Sequence, residues 1–345
     1  MRALAAFAAA ASLVVGTISL LNWWVDPLGG FYDRGVLAAA DKSNCLISDD
    51  LVGTGSWLPF KEDVLRQRGS DTVLLGTSRV LKVAARPGER AFANLGMPGT
   101  GIETLAPFFR RLHRLHPEPL TVYLGVELFW LNPNWHPNIT FASGLRQDLR
   151  YALARQTLSA SASVVAESPG MLTDRWARGR AGGRCAIDRA GRLADGKRDG
   201  WETDGSFTYR FELLGTASRF DDDEYERDLV RFEGPYYREW RGLDPERLTE
   251  LRGALALAQS FGWHVVGYTP PYSRRYSTRL QRAFPGLWRG FGAAMQETFE
   301  RAGSRWLDLR QAADVPCADD AFMDDGWHPN AACSRSVRAR LDAAA

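Results

Sequence analysis

No CxxC pair occurs among the four cysteines, Cys45, Cys185, Cys317 and Cys333, which argues against a zinc ribbon or a thioredoxin-like motif. HExxH and comparable ligand sets are missing too, so neither a metal nor another cofactor is expected. Charge of one sign is not in excess. Lys plus Arg is 43 and Asp plus Glu is 41, a balance that gives no reason to expect nucleic acid as a partner. The glycines of Gly96-x-x-Gly99-x-Gly101 run in the reverse of the GxGxxG order, which argues against dinucleotide binding. From Ala3 to Val25 there is no charged residue at all.

That stretch is long enough to cross a bilayer, which takes about 20 apolar residues. It closes on Trp23 and Trp24, and amphipathic rings favour the membrane interface. A cleaved signal peptide is the rival reading, but its shorter apolar region would end in a small-x-small site rather than Asn22-Trp23-Trp24. Arg2 before the segment and Asp26 after it favour a single-pass anchor in the inner or cytoplasmic membrane. The bulk of the chain would then face the periplasm or another extracytoplasmic space. An oxidising compartment would allow two disulfides, with four unpaired thiols as the alternative. The 12 tryptophans suit either stacking on sugar rings or plain core, since aromatic rings chiefly supply buried apolar area.

Residues 26–70 read as a juxtamembrane loop region, broken early by Pro27, Gly29 and Gly30. A short apolar run at 71–78 has the profile of a buried parallel strand, and further strands are read at 91–95, where the pattern is weaker, and at 120–125, 263–268 and 305–309. Between them lie helical patterns at 102–114, 245–261 and 276–301, and a last helix ends the chain. This alternation predicts an α/β domain over 71–345: a parallel sheet of about five strands with helices on both faces. A large insertion at about 141–240 breaks the rhythm. It holds a helical pattern near 142–166, the Gly/Arg-rich Arg178–Arg184 and the acidic Asp221–Glu224, which reads as a solvated loop.

In such sheets ligands bind beyond the carboxyl ends of the strands. Ser78, Gly99, Glu127 and the loop Asp325-Gly-Trp-His328 all follow expected strands and can converge there. Ser78 ends the first strand in Gly76-Thr77-Ser78-Arg79, and a serine hydroxyl needs a base to act as nucleophile. Serine at such a turn is also a common helix cap. His328 is the best base among the five histidines. Asp325, three residues earlier, can hold one imidazole nitrogen while the other faces the serine. The string Trp135-His136-Pro-Asn138 repeats Trp327-His328-Pro-Asn330, but no acid precedes His136 by three, and the repeat reads as accidental.

The order of Ser78, Gly99, the Gly125 turn and Asp325-x-x-His328 resembles the SGNH/GDSL hydrolase superfamily. More narrowly, with Val25-Asp26-Pro27 after an apolar helix, it is similar to the membrane-anchored exported branch of alginate-acetylation (AlgX/AlgJ-like) and DltD-like proteins. The resemblance covers roughly 71–130 and 245–345. It implies a flavodoxin-like sheet, Ser78 as nucleophile, His328 as base and Asp325 as its orienting carboxylate. The reaction implied is O-acyl ester hydrolysis or acyl transfer, with acetyl as the expected acyl group, on a cell-surface glycan. A membrane acyltransferase is a possible partner. Gly99, Glu127 and Arg79 fall where oxyanion or substrate-binding groups are expected. Two departures stand out. The serine motif is Gly-Thr-Ser-Arg, not Gly-Asp-Ser, and Glu127 stands where the family has an oxyanion asparagine. An ionised glutamate cannot donate a hydrogen bond, so another donor serves, Glu127 is protonated, or activity is weak. The alternative function is a non-catalytic partner in assembling or modifying an envelope polysaccharide.

Overall fold

The computed structural model of the chain describes residues 2–25, 35–43, 45–48, 52, 57–137, 185–188, 199–209, 236–237, 240, 242–318, 321–322 and 326–345. In chain order its elements begin with α1 (Arg2–Val25), α2 (Gly35–Ser43), β1 (Cys45–Ser48) and α3 (Trp57–Arg68). There follow β2 (Thr72–Leu75), β3 (Phe92–Asn94), α4 (Ile102–Leu115), β4 (Thr121–Gly125), β5 (Cys185–Asp188), β6 (Gly200–Trp201) and β7 (Phe207–Thr208). The last third holds α5 (Pro245–Ser260), β8 (His264–Tyr268), α6 (Arg274–Ala283), α7 (Pro285–Arg301), β9 (Arg305–Leu307) and α8 (Ala331–Asp342). The chain divides into two compact units, 1–63 with 142–203, and 64–141 with 204–345.

In the first unit, Leu4–Asn22 of α1 is long and apolar enough to cross a membrane, or to act as a signal sequence. Large side chains such as Leu4, Phe7, Leu13 and Leu20 stand exposed along it. The segment 26–70 is not the loop region its glycines suggested. It contains α2, β1 and α3, and β1 pairs antiparallel with both β5 and β6. Cys45 on β1 is disulfide-bonded. The buried Lys61 ammonium lies 4.5 Å from the ring of Trp201, a cation over an aromatic face. The helical pattern near 142–166, the stretch Arg178–Arg184 and the acidic Asp221–Glu224 lie outside the described residues.

The second unit is a five-stranded, all-parallel sheet in the order β3-β2-β4-β8-β9. This is the flavodoxin-like order, and its switch point lies between β2 and β4, where a crevice opens at the carboxyl ends. The register aligns those ends: Leu75 pairs with Leu124, Gly125 with Tyr268, and Tyr268 with Leu307. Alternate residues face opposite ways along each strand. Leu74, Tyr123, Val266 and Tyr268 form one core with Cys333, Val337 and Leu341 of α8. On the other face Gly267 leaves room for the ring of Phe299 from α7, and α4 packs against α5. Asp244 caps α5, accepting from the Glu246 N–H (2.9 Å), and Pro245 follows at the first helical position. Residues 276–301, read as mainly helical, fall in two helices, because Phe284 ends α6 and Pro285 starts α7. Proline is tolerated at a helix start, where its missing N–H costs nothing.

Three glycines surround Val80, which follows β2. A Cβ at Gly76 would lie 2.8 Å from Val80 Cγ1, one at Gly125 2.7 Å from the same atom, and one at Gly96 would overlap Val80 Cγ2. Absent side chains at three strand ends thus let one valine sink to the sheet edge, carrying the residues beside it. Gly96→Ala is expected to cost about 1–3 kcal/mol by overpacking. Urea unfolding checks this, and Val80→Ala in the same chain should recover part of the loss.

Candidate active site

Ser78 opens a 3₁₀ turn, Ser78–Val80, whose cap is Thr77. The Thr77 Oγ1 accepts the Arg79 N–H at 3.3 Å. The turn follows β2 directly, so Ser78 stands at the switch point of the sheet. His328 comes from the other end of the chain, three residues before α8. Asn330 caps that helix, its Oδ1 accepting from the N–H groups of Ala332 (2.9 Å) and Cys333 (3.1 Å). The Ser78 hydroxyl meets the His328 Nε2 at 2.8 Å, across 250 residues of sequence. A contact of that length suits a hydroxyl proton passing to the ring. Asp325 lies outside the described residues.

The segment carrying His328 is anchored on several sides. Gly326 O accepts from the Ser273 N–H (3.2 Å), and the Asn330 N–H donates to Ala321 O (3.0 Å). A disulfide joins Cys317 to Cys333, with their Cα atoms 5.0 Å apart. Trp327 is buried, and its ring meets those of Phe129, Tyr236 and Tyr276 at 5.2–5.6 Å between centroids. The cluster fixes Trp327, and His328 inherits its place. In the repeated string, Trp135 is buried but the His136 side chain is 74% exposed and 3.8 Å from Glu103.

Gly99 sits in a turn with φ of +73°, a conformation that favours glycine. Its loop is tied to the residue two before the serine: the Met97 N–H and the Thr100 hydroxyl both donate to Gly76 O, each at 2.9 Å. Among the described residues, the backbone N–H groups of Ser78 and Gly99 have no hydrogen-bond partner.

Glu127 and Arg79 are placed differently from the substrate-facing positions expected of them. Both side chains are fully buried and they pair with each other, Arg79 Nη1 to Glu127 Oε2 at 2.6 Å. The Thr77 hydroxyl donates to the other Glu127 oxygen at 2.7 Å. The remaining donors of Arg79 go to backbone carbonyls: Nε to Trp327 O (3.0 Å), and Nη2 to Pro270 O (2.8 Å) and Pro271 O (2.6 Å). Its guanidinium also lies 3.8 Å from the ring of Tyr272. Burial works against the charge on Arg79, but Glu127 above all, with help from Tyr272, outweighs it and holds the guanidinium above its usual range. Burial raises the Tyr272 phenol to about 12 despite the opposing pull of Arg79, so this ring is neutral beside the pair.

The sequence contained a signal for this pairing. Glu127 interrupts the apolar run Leu124–Leu131, and an acid in such a run is almost never buried without a partner. Among the described residues, no group of three or more His, Cys, Asp or Glu side chains is placed to hold a metal ion. Compared with family models, with curated proteins and with solved structures, the chain matches none of them. The fold and the serine–histidine contact therefore stand on their own geometry.

Proposed function

We propose that this chain is a serine-dependent O-acyl esterase or acyltransferase of the SGNH type, acting on an extracytoplasmic glycan. The observation that carries the reading is the 2.8 Å contact between Ser78 Oγ and His328 Nε2 at the switch point of a parallel sheet. In the proposed cycle Ser78 Oγ attacks the ester carbonyl while its proton passes to His328 Nε2. The oxyanion accepts from the unpaired amides of Ser78 and Gly99. His328 then returns the proton to the leaving alcohol, and water or a glycan hydroxyl takes the acyl group from Ser78. Asp325 is the orienting carboxylate of the proposal, holding the imidazole tautomer and its positive charge.

Glu127 bears on how strong the activity is. Its carboxylate is engaged by Thr77 and Arg79, so the backbone amides carry the oxyanion alone. One missing donor costs about 10²–10³ in rate. The same residue favours a second reading, a non-catalytic assembly partner of an envelope polysaccharide system. A serine-directed fluorophosphonate separates the two. The full-length protein in detergent is expected to be labelled at Ser78, and an unlabelled Ser78 in a folded chain would leave the second reading.

The proposed location follows from α1 acting as an uncleaved anchor, with the sheet domain outside the cytoplasm and a membrane acyltransferase as the candidate donor partner. A C-terminal alkaline-phosphatase fusion is expected to be active and a cytoplasmic reporter fusion inactive. The reverse pattern would reject this topology.

A further inference from the structure

We infer that Arg79 is a positioning residue, which sets the approach of His328 to Ser78, and that Glu127 is the buried anchor that holds its charge in place. The inference rests on the hydrolase reading only for its activity readout. Arg79 is the residue after the nucleophile, on the same 3₁₀ turn. Its Nε donates to the carbonyl of Trp327, the residue before the base. A closed ring results: Ser78 to Arg79 through the chain, Arg79 to Trp327 through this bond, Trp327 to His328 through the chain, and His328 back to Ser78 at 2.8 Å. The rest of the guanidinium fixes that ring to the sheet, since Nη2 reaches the two carbonyls beyond β8 and Nη1 reaches Glu127 beyond β4.

One planar group therefore joins three strand-end loops to the nucleophile's turn. Only arginine has five donors in a fixed fork, and the ammonium of lysine is a single point that cannot span them. Glu127 supplies the opposing charge, without which a fully buried guanidinium would be uncompensated. The two departures from the family pattern, threonine before the serine and glutamate in place of asparagine, thus meet in one feature, since the Thr77 hydroxyl donates to the carboxylate that pairs with Arg79. The side chain that could have faced the oxyanion serves to hold the residue that aligns the base.

The test uses the full-length protein in detergent, labelled with ¹⁵N-histidine. In Arg79→Lys, fluorophosphonate labelling of Ser78 is expected to slow by about 10–100-fold, as small misplacements of reacting groups do. The His328 ring-nitrogen signals should move away from their hydrogen-bonded positions, while circular dichroism stays that of the unmodified chain. A folded Arg79→Lys with labelling within about twofold of the unmodified chain and unmoved His328 signals would overturn the inference. Should Arg79→Lys fail to fold, Thr77→Val takes its place. It removes the hydroxyl that steadies Glu127 but keeps both charges, and it should slow labelling and move His328 in the same direction. No change in either would equally overturn the inference. If the unmodified chain is not labelled at all, the hydrolase reading fails, and the His328 signals in the variants decide the positioning role alone.

Discussion

Ser78→Ala is expected to lower turnover of a small acetyl ester by about 10³–10⁶-fold, with the unfolding midpoint nearly unchanged. The hydroxyl is half-buried and, among the described residues, its one hydrogen bond runs to His328, so its loss removes the nucleophile and little packing. His328→Ala should fall in the same range, because without the base the hydroxyl keeps its proton. The double variant should be scarcely worse than either single one, since a unit that acts together is lost with its first member. Acetate release from purified protein measures this directly. Turnover by Ser78→Ala close to that of the unmodified chain would defeat the enzymatic reading.

The largest effect on stability is expected at Glu127. Glu127→Ala leaves Arg79 charged, fully buried and unpaired, a loss of about 3–5 kcal/mol. For a unit of this size that corresponds to a drop in melting temperature on the order of 10 °C. The double variant Arg79→Met/Glu127→Leu should be less destabilised than Glu127→Ala, because it removes both charges and keeps apolar volume. Thermal melts of the three chains decide it. A double variant as unstable as Glu127→Ala would mean that the carbonyls of Trp327, Pro270 and Pro271 depend on the guanidinium more than the charges depend on each other. Glu127→Gln is informative for a related reason. An amide donor would help an oxyanion, but here its NH₂ would face the Arg79 fork, so the rate should fall.

The sheet of the second unit was legible because buried parallel strands are written as short apolar runs. The runs at 71–78, 120–125 and 263–268 contain β2, β4 and β8, and each ends in glycine or proline or soon meets one. The first unit was not legible, for a physical reason. β1 is four residues long and β6 two, too short for a period, and β1 pairs with strands more than 130 residues further along. Ser78 could be found because position after a strand is a local property, and His328 because Asp325 stands three residues before it. The pairing of Arg79 with Glu127 could not, because it joins loops 48 residues apart and exists only once β2 and β4 lie side by side. Ser78 and Glu127 do follow β2 and β4, while the roles of Arg79 and Glu127 depended on which way each side chain turned.

The bond between Cys317 and Cys333 makes the two halves of the site answer to different conditions. The serine half needs only folding, since Val80 and the three glycines around it seat the turn at the sheet edge. The histidine half gains a further brace from an oxidant, because His328 lies within the segment that the bond closes. Among reducing thiols that closure is absent, and the segment of the base keeps its hydrogen bonds to Ser273 and Arg79 and its Trp327 rings but loses the covalent brace. Oxidation then adds a covalent link on the histidine side alone, and the redox state of the surroundings bears on one half of the serine–histidine pair and not on the other.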